Sequence, residues 1–283
     1  MAWTLGIITS IVTALIYIFV DTRLDYALHS FTLVYVIPAG ALLAGLLSST
    51  GIYMALRREE KKPAQGHFFL AGALGLLTLF SIYFSAYSLA YLDDNNNINY
   101  DGKGRAISSL VLDNGNRYDF FTYIYDEITN REYNISDHSE KTQVIKNVYF
   151  NWVCFVLEIL GSIGGALILV AALKSMKYCE KCSRYHRNFK LMHFPVKKHD
   201  EKMTLVNAAL ASRDSFIGFL RDKKKSENFF STHYEVFINF CGTCGDASII
   251  VKKMTARSRE ISKQELAINP ELVRAAIAEK LIK

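Results

Sequence analysis

Four of the five cysteines fall in two pairs, Cys179-Glu180-Lys181-Cys182 and Cys241-Gly242-Thr243-Cys244. Two residues between cysteines let a tight turn aim both thiolates at one ion while backbone amides point toward the sulfurs. Two such turns supply the four sulfurs of a closed tetrahedral site, the arrangement zinc takes in a structural role. Gly245 follows the second pair and eases the turn beyond the last ligand. Two other readings of the pairs stand beside this one: a CxxC redox couple, or a mixed site in which His186 replaces one sulfur. Four thiolates leave no open coordination position, so a catalytic metal is not expected. Disulfides are not expected on a reducing, cytoplasmic side. The expected ligands of a structural Zn2+ are therefore Cys179, Cys182, Cys241 and Cys244. Cys154 lies in an apolar stretch and reads as a small buried residue.

The flanks of the pairs read as the strands that such turns need. Tyr234, Val236, Ile238 and Phe240 alternate into the second pair, Ile249 to Val251 lead out of it, and residues 189–196 form a strand leaving the first. With these flanks the region resembles the zinc-ribbon superfamily, in which two cysteine knuckles on β-hairpins face each other. The resemblance covers about 75 residues and implies a fold element, not an activity. It departs from a compact ribbon in one respect: 58 residues separate Cys182 from Cys241. Val206, Ala209, Leu210, Phe216, Ile217 and Leu220 form one stripe in that interval, which predicts an inserted helix over about 203–222. Asn269-Pro270-Glu271 is a favourable helix start, and Leu272, Val273, Ala276, Ile277 and Leu281 give the helix after it an apolar stripe.

The rest of the chain has a different character. Of 283 residues 51% are apolar, and they concentrate in four blocks: Trp3–Val20, Phe31–Leu56, Phe68–Leu92 and Val148–Leu173. Each is near or above the ~20 residues a helix needs to cross a bilayer. A soluble bundle would keep a polar face on such helices, and these have none. The first block lacks the basic start and the cleavage motif of a signal peptide, so it is expected to remain as a membrane helix. Loop charge then sets the orientation. Residues 57–66 carry a net +2, residues 93–147 hold six Lys/Arg against ten Asp/Glu, and residues 174–283 hold 22 Lys/Arg against 12 Asp/Glu. Basic flanks stay cytoplasmic. With four crossings, both termini and the 57–66 loop are expected inside and 93–147 outside. The charge bias and the missing disulfides suit a bacterial inner (plasma) membrane.

In the outer segment, residues 106–112 and 117–125 read as two strands around the turn Asp113-Asn114-Gly115-Asn116. Asn134-Ile135-Ser136 matches a glycosylation acceptor, relevant only in a secretory compartment. Glu158 is the one acidic residue inside a predicted span, and such groups line polar pathways or meet a partner. A hydroxyl, His29 or His67 could donate to it. Gly161, Gly164 and Gly165, with Gly40, Ala44, Gly45 and Ser48, would let helices approach closely, within one bundle or between copies. Pro38 predicts a kink in the second span. Lys223-Lys224-Lys225 reads as a solvated basic surface near anionic lipid, and nucleic acid is an unfavoured partner. No phosphate-binding glycine loop, HExxH or triad pattern occurs, and no enzyme is expected.

The expected fold is a membrane α-helical bundle of four transmembrane helices, with a small extracytoplasmic β-hairpin region and a C-terminal α+β zinc-ribbon-like domain. Its divisions are 1–92 for helices one to three, 93–147 for the outer hairpin, 148–173 for helix four, 174–258 for the ribbon with its helical insert, and 259–283 for a terminal amphipathic helix. Such a chain is expected to serve as a membrane scaffold or accessory subunit that engages a cytoplasmic protein through the zinc-binding tail. An oligomeric channel or pore gated by that tail is the alternative, with Glu158 on its path.

Overall fold

The computed structural model describes residues 1–23, 38–93, 98–100, 102–112, 115–131, 133–136, 142–145, 147–221, 232–255 and 259–282. The chain forms two compact units, Met1–Ser175 and Met176–Lys283.

The first unit is built on helices α1 (Ala2–Arg23), α2 (Ala39–Ser48), α3 (Thr50–Arg58), α4 (Gln65–Leu89), α5 (Phe120–Asn130) and α6 (Val148–Ser175). Four helical stretches are long and apolar enough to cross a membrane: α1, α2 with α3, α4 and α6. At ~1.5 Å per residue, α1 runs for roughly 33 Å and α6 for roughly 42 Å. Their outward faces are apolar too, with Leu15, Phe19, Leu77, Val153, Val156 and Leu160 all exposed.

Glycine sets how closely two of these helices meet. A Cβ on Gly45 of α2 would lie 1.9 Å from the Ser162 carbonyl oxygen, and one on Gly165 of α6 would lie 2.0 Å from that of Leu42. No larger residue fits either position, so the small-residue faces join α2 to α6 within one copy. Gly164, one residue away, has open space around it.

Pro38 stands at the amino-terminal end of α2, where its fixed φ suits a helix start. Residues 31–37 of the predicted span, and with them the expected kink, lie outside the described residues, as does His29. A break comes at Ser49, between α2 and α3. Ser48, Ser49 and Thr50 donate their hydroxyls to the carbonyls of Gly45, Leu46 and Leu47, and Thr9 Oγ1 donates to the Ser48 carbonyl at 2.7 Å. Consecutive hydroxyls that bond back onto the helix compete with its ladder.

The segment between α4 and α6 departs most from expectation. Residues 117–125 are not a strand: Phe120–Asn130 is helical, and Asp119 caps it by accepting from the Thr122 amide at 2.8 Å. Tyr123, Ile124 and Ile128 then share one buried stripe against α4 and α6. Aromatic residues favour strands only weakly, and a capped stripe with a core to meet overrides that preference. Of the expected first arm, Arg105–Ala106 (β3) pairs with Tyr91–Leu92 (β1), which also pairs with Ile98–Asn99 (β2). An isolated bridge, Val111 to Arg117, crosses the Asn-Gly turn, whose Asp113 and Asn114 lie outside the described residues. An antiparallel hairpin does occur further on, between Tyr133–Ser136 (β4) and Thr142–Ile145 (β5).

The second unit opens with a two-residue hairpin, Tyr178–Cys179 (β6) against Arg184–Tyr185 (β7). An antiparallel sheet follows, in the order β11-β10-β9-β8, from Arg187–Pro195 (β8), His233–Phe240 (β9), Ala247–Met254 (β10) and Glu260–Ala267 (β11). Val236, Ile238, Ile249 and Val251 of the central strands join one core with Phe216, Ile217 and Leu220. The predicted insert is two helices, α7 (His199–Ala209) and α8 (Arg213–Arg221), divided at Ser212, whose hydroxyl accepts from the Ser215 amide. Lys223 to Lys225 lie outside the described residues. The terminal helix α9 (Pro270–Ala278) starts at its Asn269 cap as expected, but it is not a separate element. Leu272, Val273 and Ala276 complete the same core.

Candidate metal centre

The two cysteine turns stand at the ends of hairpins that face each other. Cys179 ends β6, and the first turn is closed by the His186 amide bonding to the Lys177 carbonyl at 3.0 Å. Ser183, just after Cys182, takes a left-handed φ of 52°, which reverses the chain toward β7. Cys241 follows β9, and its amide donates to the Asp246 carbonyl at 2.8 Å across the second turn. Gly245 takes φ +75° there, and a Cβ on it would meet Arg274 Cγ at 2.6 Å and the Pro270 carbonyl at 2.7 Å. Glycine is required on both counts.

The sequence separates Cys182 from Cys241 widely, yet the fold brings all four thiols together. The sulfurs of Cys179, Cys182, Cys241 and Cys244 all lie within 4.8 Å of one another, and Cys179 Sγ is 3.5 Å from Cys244 Sγ. Around a tetrahedral ion with metal–sulfur bonds of ~2.3 Å, sulfurs stand roughly 3.8 Å apart. The cluster fits a metal ion with small adjustments. Cys179 and Cys241 are buried, and Cys182 and Cys244 are half-buried.

Electrostatics favour stepwise ionisation. The backbone N–H of Asp246 points at the Cys244 sulfur and lowers that thiol to about 7. Hydrogen bonding with Cys244, followed by burial, pushes the Cys182 thiol up to about 12, and burial raises that of Cys179. One thiolate therefore forms readily, with the Cys179 and Cys182 thiols held protonated beside it. A cation at the centre reverses that cost, since each thiolate then faces positive charge.

Two neighbours escaped the sequence reading. Arg274 of α9 donates from Nε to the Cys244 carbonyl at 2.7 Å, tying the terminal helix to the second turn. Spacing alone cannot reveal it, because the two lie 30 positions apart. Asp246 stands beside His186, with Oδ2 at 3.6 Å from Nε2. His186 is not one of the four converging groups but lies next to Cys179.

Glu158 has a definite partner set in the first unit. Its Oε1 accepts from Arg131 Nη1 at 2.7 Å and its Oε2 from the Tyr83 hydroxyl at 2.6 Å. Arg131 follows α5 directly, and Asn151 Nδ2 donates to its carbonyl at 2.8 Å. Tyr83 is the hydroxyl the sequence allowed for. Arg131 was not anticipated, because it belongs to the segment expected outside the membrane. His67 is used elsewhere: its Nδ1 accepts from the Ala64 amide at the start of α4. No protein-family model, no curated protein and no solved structure matches this chain, so its metal centre and its function are read from its own geometry.

Proposed function

We propose that the chain is an integral membrane scaffold or accessory subunit, and that its C-terminal unit holds a structural Zn2+ through Cys179, Cys182, Cys241 and Cys244 and engages a cytoplasmic protein partner. The observation that carries this reading is the convergence of four thiols, from turns 58 residues apart, within one folded unit that follows a bundle of long apolar helices. Zinc suits four sulfur donors in a closed tetrahedral set. Its role there is to neutralise the thiolates and fix the two turns relative to each other. The Cys179 and Cys182 turn has only a two-residue hairpin of its own, so the metal supplies much of its order.

The apolar outward faces of α1, α4 and α6 support a bilayer environment, because such surface in water would drive aggregation. Loop charge supports both termini on the cytoplasmic side. A channel reading has weaker support, since Glu158 is engaged by Arg131 and Tyr83 rather than standing alone in a span.

The test is co-purification of the full-length protein from its native membrane, beside a Cys241→Ser, Cys244→Ser variant. The scaffold reading expects a second polypeptide in stoichiometric amount with the wild type. It should be lost from the variant, which stays in the membrane fraction. If both forms purify alone, the scaffold role fails.

A further inference from the structure

Beside the four-thiol cluster lies a second set of donors that the first reading leaves unused. His186, on the strand side of the first turn, has a side chain only 1% exposed, and neither ring nitrogen has a hydrogen-bond partner. Burying an imidazole with both nitrogens idle is costly; each nitrogen forgoes a water it would bind in the unfolded chain. Asn239, on β9, meets the ring outside the geometry of a hydrogen bond, and its own Oδ1 is buried and unpaired. A ring nitrogen of His186, a carboxylate oxygen of Asp246 and the Cys179 sulfur all lie within 4.8 Å of one another.

These separations are informative. At 3.6 Å the His186 and Asp246 pair is longer than a hydrogen bond, and no hydrogen bond joins His186 to the Cys179 sulfur. They are close to the spacing of ligands that share an ion. Bonds of about 2.0–2.3 Å at tetrahedral angles place such atoms roughly 3.3–3.8 Å apart. The three groups converge without a hydrogen bond between the imidazole and either of its neighbours. A cation between the three groups satisfies all of them at once.

We infer that Cys179, His186 and Asp246 form a second divalent-metal position, adjacent to the four-thiol position and sharing Cys179 as a bridging thiolate. It deepens the zinc-centre reading and rests on it for the location of the first ion. The donor set of one sulfur, one nitrogen and one oxygen suits zinc or cobalt. With three protein ligands it keeps a fourth place for water, unlike the closed four-sulfur position. Asp246 has a side chain 58% exposed, so the second position opens to solvent and exchanges metal more readily than the first.

The experiment is a Co2+ titration of the full-length protein in detergent, stripped of metal under reducing conditions and followed by visible absorption. Wild type should take up two equivalents: the first with the intense sulfur-to-cobalt bands of a four-thiolate site, the second weaker and with less sulfur character. Asp246→Asn, on an exposed side chain, and His186→Ala should each abolish the second equivalent and leave the first. Uptake of one equivalent by wild type, unchanged in both variants, would overturn the second position and leave the four-thiol reading standing. Retention of two equivalents by Asp246→Asn and His186→Ala would also overturn it. Cys182→Ser with Cys244→Ser tests the other reading separately, because those sulfurs serve only the four-thiol position. If that variant keeps every equivalent that wild type binds, the four-thiol reading fails while the new position survives.

Discussion

Replacing Arg131 by Met removes the cation from a carboxylate that is fully buried. Glu158 is 0% exposed, and the Arg131 side chain is 9% exposed. With the guanidinium gone, Glu158 keeps only the Tyr83 hydroxyl as a donor. Breaking a buried pair from one side costs about 3–5 kcal/mol, because the remaining charge is left without compensation. For a unit of this size, roughly 2–4 °C per kcal/mol gives a fall in Tm of roughly 6–20 °C. Glu158→Gln should cost less. Gln still accepts from Tyr83, and Arg131 keeps Glu127 at 3.7 Å on its more exposed side. The two changes together should cost well under the sum of the single ones, because the double variant contains no orphaned charge. The assay is a double-mutant cycle on the full-length protein in detergent, by thermal unfolding at fixed pH. Additivity within about 0.5 kcal/mol would mean that the two side chains are energetically independent. The reading of Arg131 and Glu158 as one coupled buried pair would then be wrong.

Three further outcomes follow from the packing and the thiol electrostatics. Gly165→Ala places a methyl about where the Leu42 carbonyl stands, so it should destabilise the bundle by about 1–3 kcal/mol or more, whereas Gly164→Ala should be tolerated; thermal unfolding distinguishes them. Asp119→Ala removes the α5 cap and should cost about 1 kcal/mol, visible as faster hydrogen exchange at Thr122 and its neighbours. In metal-free protein Cys244 should be the first thiol alkylated, with a rate rising as pH climbs through about 7, while Cys182 stays slow until far higher pH; mass spectrometry after brief iodoacetamide treatment reads the order. Sulfur ionises before it binds metal, so zinc affinity should fall as pH drops below that range.

Long-period and locally bounded signals were the legible ones. Each of the four helical spans was visible because its apolar run exceeds what a soluble helix carries. The cysteine pairs were legible through spacing, and the strands beside them through alternation at Tyr234, Val236, Ile238 and Phe240. β11 was missed because its residues Glu260 to Ala267 are nearly all exposed, with Glu260, Lys263 and Glu265 charged among them. An edge strand buried on neither face leaves no alternating pattern. The helix α5 was read as a strand because an aromatic-rich run follows an Asn-Gly turn, while its stripe becomes meaningful only once α4 and α6 are beside it. Arg131 with Glu158, and Arg274 with the Cys244 carbonyl, were invisible for one reason. They join residues 27 and 30 positions apart, and no local pattern encodes which side chains a fold brings together.

The most direct test of the central claim is the zinc content of the full-length protein, purified without added metal and washed with a mild chelator. It should be compared with a Cys182→Ser, Cys244→Ser variant. The account predicts one firmly held zinc per chain in the wild type, its loss in the variant, and increased protease cleavage around residues 176–186 once it is gone. A wild-type protein that carries no zinc, yet resists protease there as well as any loaded form, would contradict it. The paired cysteines would then be left to redox chemistry.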